Sequence, residues 1–205
     1  MSKVKILCID LDDTLSLTAD TILKYAISFD KTKLSRSGQL KKIENCDDYY
    51  YFAKMLGWNR EQLISFFDTC YLEYLQKIEV KSDASTIIKK IKKLGIKVYI
   101  VTSRRECENN NIMKITEKWL KENEISFDKL FVNVINKSEL IKQIKPAYFV
   151  DDSYKNCLDV SQVCENTKVV LIETDFNKSI RVENILKIKS LKELYEFIKG
   201  DVKGV

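Results

Sequence analysis

The chain has 205 residues and a mass of 24.0 kDa, which suits one compact domain carrying a modest insertion. Hydrophobic residues make up 45% and charged residues 32%, with one proline and five glycines, a balance that argues against a disordered, collagen-like or membrane-spanning protein. Lys and Arg (35) exceed Asp and Glu (30) by a net +5, yet the basic residues are scattered, so the surface reads as solvated, with neither a nucleic acid polymer nor a membrane expected as partner.

Residues 4–9 (VKILCI) form a short, nearly continuous apolar run that ends in an acidic cluster, as a strand covered on both faces would. Cys8 within it reads as a small buried hydrophobe. No convincing strand lies between that run and a helix at 84. Within that interval 47–56 and 60–77 read as helices around Gly57-Trp58, and Asn59 with Gln62 offers a capping box. The aromatic residues Tyr49, Tyr50, Tyr51, Phe52, Trp58, Phe66, Phe67, Tyr71 and Tyr74 recur at helical spacing and read as the core of this segment, with one or two left to stack on a base.

From there strands and helices alternate. A helix at 84–94, with Ser82 and Asp83 as caps and Gly95 as its stop, leads to an apolar run at 97–101. Further apolar runs at 130–134, 147–150 and 168–172 are separated by helical patterns at 111–123, 138–144 and 154–164, and a last helix spans 190–200. Such alternation implies right-handed crossovers and a doubly wound parallel sheet of Rossmann-like type. The expected organisation is therefore an α/β core of residues 1–16 and 81–205, with a small helical cap, 17–80, inserted after the first strand and placed over the sheet.

In an open parallel sheet ligands bind beyond the carboxyl ends of the strands. Three such ends stand out: Asp10-Leu11-Asp12-Asp13-Thr14-Leu15, Thr102-Ser103-Arg104 and Asp151-Asp152. Converging carboxylates repel one another unless a cation lies among them, and oxygen-only ligands favour magnesium, whose shell is completed by phosphate oxygens. Asp10 and Asp12, two apart at a strand end, can divide nucleophilic attack and proton transfer between them. Thr102 and Ser103 can donate to phosphoryl oxygens, and a lysine would stabilise the developing charge. Histidine is absent, which excludes Ser-His-Asp and Cys-His nucleophiles and His-based zinc sites. The six cysteines (8, 46, 70, 107, 157 and 164) form no CxxC pair, and the opening MSKVKILCID is too short and polar for a signal peptide, so a reducing cytoplasm is expected.

The segment DLDDTL after a hydrophobic strand resembles motif one (DxDxT) of the haloacid dehalogenase (HAD) superfamily. Thr102 matches the strand-end Thr/Ser of motif two, Lys137 the motif-three lysine, with Lys142 and Lys155 as alternatives, and FVDD (149–152) resembles motif four. More narrowly, VTSRRE, KWLKENEISFD and NKSELIKQIKPAYFVDDSYKNCLDVS are similar to bacterial nucleotidases related to the 5′(3′)-deoxyribonucleotidases. The resemblance implies a phosphatase of small-molecule phosphate esters, in particular nucleoside 5′-monophosphates or deoxynucleotides. By it, Asp10 forms an aspartyl-phosphate, and Asp12 acts as acid and then as base. Magnesium is held by the Asp10 carboxylate, the main-chain oxygen of Asp12 and Asp151, while Asp152 holds a metal water or orients its neighbour. Thr102, Ser103 and Lys137 bind the phosphate, and Thr14 and Arg104 support the site. A sugar-phosphate phosphatase or a phosphomutase is the alternative within the superfamily. A phospho-accepting receiver module fits less well, because the strand before Thr102 offers no aspartate at its end.

Overall fold

The structure, a computed structural model, describes residues 4–43, 50–106 and 111–204. The chain divides into two compact units, one of residues up to Ser16 together with those from Val80 onward, the other Leu17–Glu79. In chain order the described helices are α1 (Thr18–Thr32), α2 (Tyr51–Leu56), α3 (Arg60–Lys77), α4 (Ala84–Lys93), α5 (Ile112–Glu122), α6 (Lys137–Ile144), α7 (Tyr154–Val163) and α8 (Leu191–Lys203). No helix among the described residues is long and apolar enough to cross a membrane.

The first unit is built on a six-stranded, wholly parallel sheet: β1 (Ile6–Ile9), β2 (Lys97–Val101), β3 (Lys129–Phe131), β4 (Tyr148–Asp151), β5 (Lys168–Ile172) and β6 (Leu186–Ile188), in the order β3-β2-β1-β4-β5-β6. The chain reverses its direction of travel across the sheet between β2 and β4, and β1 lies between them: Leu7 pairs with Val98 on one side and Tyr148 on the other. Because successive side chains point to opposite faces, Cys8 joins Tyr99, Val101, Phe149, Val169 and Leu171 in a core closed by Ile141 of α6 and by Cys157 and Val160 of α7. Leu7, Ile9, Val98 and Ile100, of the other parity, are equally inaccessible. Covering both faces removes the need for polar alternation, so the strands read as continuous apolar runs. Burial pushes the Cys8 thiol up to about 12, so it packs as a hydrophobe rather than reacting.

Some boundaries differ from the sequence reading. β3 starts and ends earlier than 130–134, and β6, a three-residue edge strand, was not anticipated. Asp83 stands at the N-cap of α4, but its backbone is helical and its side chain makes no capping hydrogen bond. Gly95 does follow the helix with φ +81°, a left-handed turn that suits a residue without Cβ.

The second unit consists of α1 to α3 around an aromatic core. Phe29, Phe52, Trp58 and Phe66 meet with ring centroids 5.3–5.9 Å apart, mostly edge to face. Asp30 is buried yet satisfied: its carboxylate accepts from Trp58 Nε1 at 2.6 Å and from the Gly38 N–H at 2.9 Å. The expected capping box starts α3, with Asn59 Oδ1 accepting from Gln62 N and Gln62 Oε1 from Asn59 N. The helix expected over 47–56 is seen from Tyr51; residues 47–49, with Tyr49, and likewise Cys46 and Cys107, lie outside the described residues.

Candidate active site

The ends of β1, β2 and β4 supply the site. The ladder between β1 and β4 runs one residue past β1, where the Asp10 N–H donates to the Val150 carbonyl at 2.9 Å. The chain then turns tightly. Leu15 N, Ser16 N and Ser16 Oγ all donate to the Leu11 carbonyl, and Asp13 adopts φ +58°. Lys81 Nζ holds the turn from outside, 2.6 Å from the Asp13 carbonyl.

Asp10, Asp151 and Lys137 are almost wholly buried. Lys137 is the first residue of α6, a helix capped by Asn136, and its ammonium donates both to Asp10 Oδ1 and to Asp151 Oδ2, the latter at 2.7 Å. Lys142 is exposed, and Lys155 is exposed and paired with Asp159, so neither takes this place. Asp151 is further fixed by the Ser153 N–H at 2.9 Å and by Asn156 Nδ2, which reaches both its oxygens at 3.2 Å. Carboxylate oxygens of Asp10, Asp151 and Asp152 lie within 4.8 Å of one another. Thr14, fully buried, faces Asp152 Oδ1 at 3.5 Å.

Such crowding has an electrostatic signature. Burial pushes the Asp10 carboxyl up, to about 7, with Asp151 and Asp12 adding to the rise against the pull of Lys137. Asp152 is raised too, by loss of solvent and by Asp151. Burial alone would lower the Lys137 ammonium, but Asp10 and Asp151 on either side more than reverse this and hold it above the ordinary lysine range. Among the described residues Asp10, Asp151 and Asp152 therefore gather around the Lys137 ammonium, which cannot neutralise all three carboxylates once they ionise, the condition under which a hard cation binds.

Asp12 lies on the other side of the turn. Thr102 Oγ1 reaches Asp12 Oδ2 at 3.2 Å, and the buried Arg104 forks onto both Asp12 oxygens. Ser103 is exposed, and its hydroxyl donates to the Val134 carbonyl at 2.9 Å. Residues that sequence reasoning did not single out also shape the site, namely Lys81, Asn156 and Asn177, whose buried amide donates to the Asp152 carbonyl at 2.7 Å and to that of Ile172 at 2.9 Å. Only Asn156 had a readable signal: it stands three residues after Ser153, where the side chain of a helix's first turn can point back toward the cap.

This fold is shared with solved structures of low sequence identity. A haloacid dehalogenase-like hydrolase from Streptococcus pneumoniae superimposes with a TM-score of 0.64 at 13% identity, covering 96% of this chain and 100% of that one. A protein described as a predicted phosphatase from Clostridium acetobutylicum gives 0.63 at 14%, covering 97% and 99%. The HAD-hydrolase YfnB from Bacillus subtilis, solved bound to magnesium, gives 0.60 at 14%, covering 96% and 99%. No curated protein matches the sequence. The family model for 5′-nucleotidase matches residues 64–175, a stretch that takes in the ends of β2 and β4 together with Lys137. Since that match spans more than half of the sequence, the chain belongs to the 5′-nucleotidase family and is a phosphatase that shares its fold with haloacid dehalogenase-like hydrolases.

Proposed function

We propose that the protein hydrolyses nucleoside 5′-monophosphates or deoxynucleotides with magnesium, through an aspartyl-phosphate on Asp10. The observation that carries this reading is the Lys137 ammonium inserted between two buried carboxylates, Asp10 and Asp151, with Asp152 beside them. The donor set fits magnesium: it is all hard oxygen, it is buried, and it has charge left over after Lys137 is counted. Asp10, the main-chain oxygen of Asp12 and Asp151 would hold the ion, with Asp152 acting through a water. When bound, magnesium neutralises the phosphoryl oxygens and aligns them for in-line attack.

The chain's own groups perform the transfer. An Asp10 oxygen attacks phosphorus while the bond to the ester oxygen breaks, and Asp12 gives its proton to the departing alkoxide. A water then attacks the same phosphorus. Asp12, now a carboxylate, takes the proton of that water, the bond to Asp10 breaks, and inorganic phosphate leaves with Asp10 restored. Lys137 faces the charge that develops on the phosphoryl group, and the buried Thr102 hydroxyl stands at the end of β2 as a further donor.

Nucleotide substrates are supported by the family match, and magnesium by the metal-bound Bacillus subtilis neighbour. The test is a panel of nucleoside monophosphates, sugar phosphates and phosphoglycolate with and without magnesium. Turnover of nucleotides above the others, lost on chelation and in Asp10→Asn, is expected. Uniform rates across the panel would remove the nucleotide assignment, and an active Asp10→Asn would remove the mechanism.

A further inference from the structure

Arg104 has no part in the reaction just described, yet it is buried and its side chain lies against both Asp12 and Trp119. Its guanidinium forks onto Asp12, with Nε 2.9 Å from Oδ2 and Nη2 2.8 Å from Oδ1, and its side chain is only 2% exposed. The backbone beneath is pinned to residues 131–134. The Thr102 N–H donates to the Phe131 carbonyl at 2.9 Å, the Val134 N–H to the Thr102 carbonyl at 3.1 Å and the Asn133 N–H to the Arg104 carbonyl at 2.9 Å, so residues 102–104 carry the β2–β3 pairing past the strand ends. The guanidinium carbon lies 5.7 Å from the ring centre of Trp119 on α5, an aromatic seat for the cation.

A planar fork matched to both carboxylate oxygens fixes the rotation of that carboxylate, which the point charge of a lysine does not. Two carboxylates two residues apart are thus served by different cations, Asp10 by Lys137 and Asp12 by Arg104. We propose that Arg104, seated on Trp119, is the positioning residue that sets the Asp12 carboxyl for proton transfer at the ester oxygen; this rests on the reaction proposed above.

A nitrophenolate leaves without a proton, whereas the alkoxide of a nucleotide does not, so the proposal is read from the dependence on leaving group. Arg104→Ala is expected to lower kcat/KM on a nucleoside monophosphate about 100-fold, the range of one proton-transfer contribution; kcat/KM is read because it reports transfer to Asp10 and not the later hydrolysis that Asp12 serves for every ester. On p-nitrophenyl phosphate kcat/KM should fall by less than about a tenth of that factor, because the nitrophenolate needs no proton. Arg104→Lys should stay impaired, and added guanidinium should restore part of the Arg104→Ala rate. Asp12→Ala should show the same dependence on leaving group, and the double variant should be no slower than Asp12→Ala. Should Arg104→Ala fail to fold, Trp119→Leu replaces it and should show the same pattern at smaller amplitude. Equal losses of Arg104→Ala on both esters, or additive losses in the double variant, overturn the role of Arg104 while leaving the reaction intact. An Asp12→Ala variant with no leaving-group dependence overturns the acid role of Asp12, and the role of Arg104 with it.

Discussion

Lys137 shows most plainly how the site is held together, because its ammonium is the one buried positive charge in hydrogen-bond contact with both Asp10 and Asp151 among the described residues. Removing one partner of a buried ion pair leaves the other uncompensated, which costs about 3–5 kcal/mol. Lys137→Met is therefore expected to lower the stability of the metal-free protein by that amount, measured by urea unfolding in chelator. Asp10→Asn removes one of the crowded negative charges and keeps an acceptor for Lys137, so in chelator it should be at least as stable as the parent although inactive. A destabilisation comparable to that of Lys137→Met would show that Asp10 is not under electrostatic strain. The residues of this cluster were legible in the sequence because each ends an apolar run or starts the helix after one. Asn177 and Lys81 were not, since what matters in each is a reach to a distant carbonyl, that of Asp152 for the amide and that of Asp13 for the ammonium, and no periodicity announces such a contact. Ser103 looked equivalent to Thr102 on type alone, but alternation along the chain exposes one hydroxyl and buries the other.

At the scale of elements, the helices whose ends carry side-chain caps were the easiest to read, and α3 is the clearest. Asn59→Ala breaks its capping box and is expected to reduce stability by about 1 kcal/mol, measured by thermal or urea unfolding. By contrast α1 follows Leu17, which makes no side-chain cap, so that its start left no local mark and the region read only as generally helical. β6 is three residues long and owes its existence to the register of β5, Val170 against Leu186 and Ile172 against Ile188. At the amino ends of β1, β4 and β5 α8 is tied down by Asp201, which accepts from Tyr148 Oη at 2.5 Å, from Lys5 Nζ at 3.2 Å and from Lys168. An acid in a last helical turn opposes the helix dipole, so these tertiary contacts must account for it. Lys168 first, then Tyr148, hold the Asp201 carboxyl well below the usual carboxylate range. A depressed carboxylate contributes its stability in full above the unfolded value of about 4 and loses it as pH falls below that. Asp201→Asn should therefore be less stable than the parent by on the order of 1 kcal/mol between pH 5 and 8, and the gap should shrink below pH 4. A gap that is constant or grows in acid would rule out the charge as its source.

At the scale of the molecule, the segment 17–79 enters and leaves through adjacent backbone. In the first unit Ser16 and Val80 form an antiparallel bridge and the Lys81 N–H donates to the Leu15 carbonyl at 2.9 Å; in the second the Leu17 N–H donates to the Glu79 carbonyl at 2.8 Å. Each unit therefore closes its own ends. The core of the first around Cys8 and Phe149 is made entirely of residues outside 17–79, as is the cluster of Asp10, Asp12, Lys137 and Asp151. A chain in which 17–79 is replaced by a three-residue Gly/Ser linker, keeping Ser16, Val80 and the bond from Lys81 to Asp13, is expected to fold with one cooperative transition. Shortening a closed segment of roughly 60 residues to about three lowers the closure entropy by about 2–3 kcal/mol, which offsets part of whatever packing is lost. Because the strand-end residues stay in place, magnesium-dependent hydrolysis of an aryl phosphate should survive in the shortened protein. Preference among phosphate esters should not, since selectivity requires contacts beyond the phosphoryl group and the sequence reading leaves one or two of the excised aromatic residues to stack on a base. Circular dichroism with urea unfolding checks the first expectation and relative kcat/KM values across nucleotides and sugar phosphates the second. A shortened chain that unfolds without cooperativity would mean that the first unit depends on the inserted helices for its core, and one that keeps its nucleotide preference would move specificity onto the strand ends themselves.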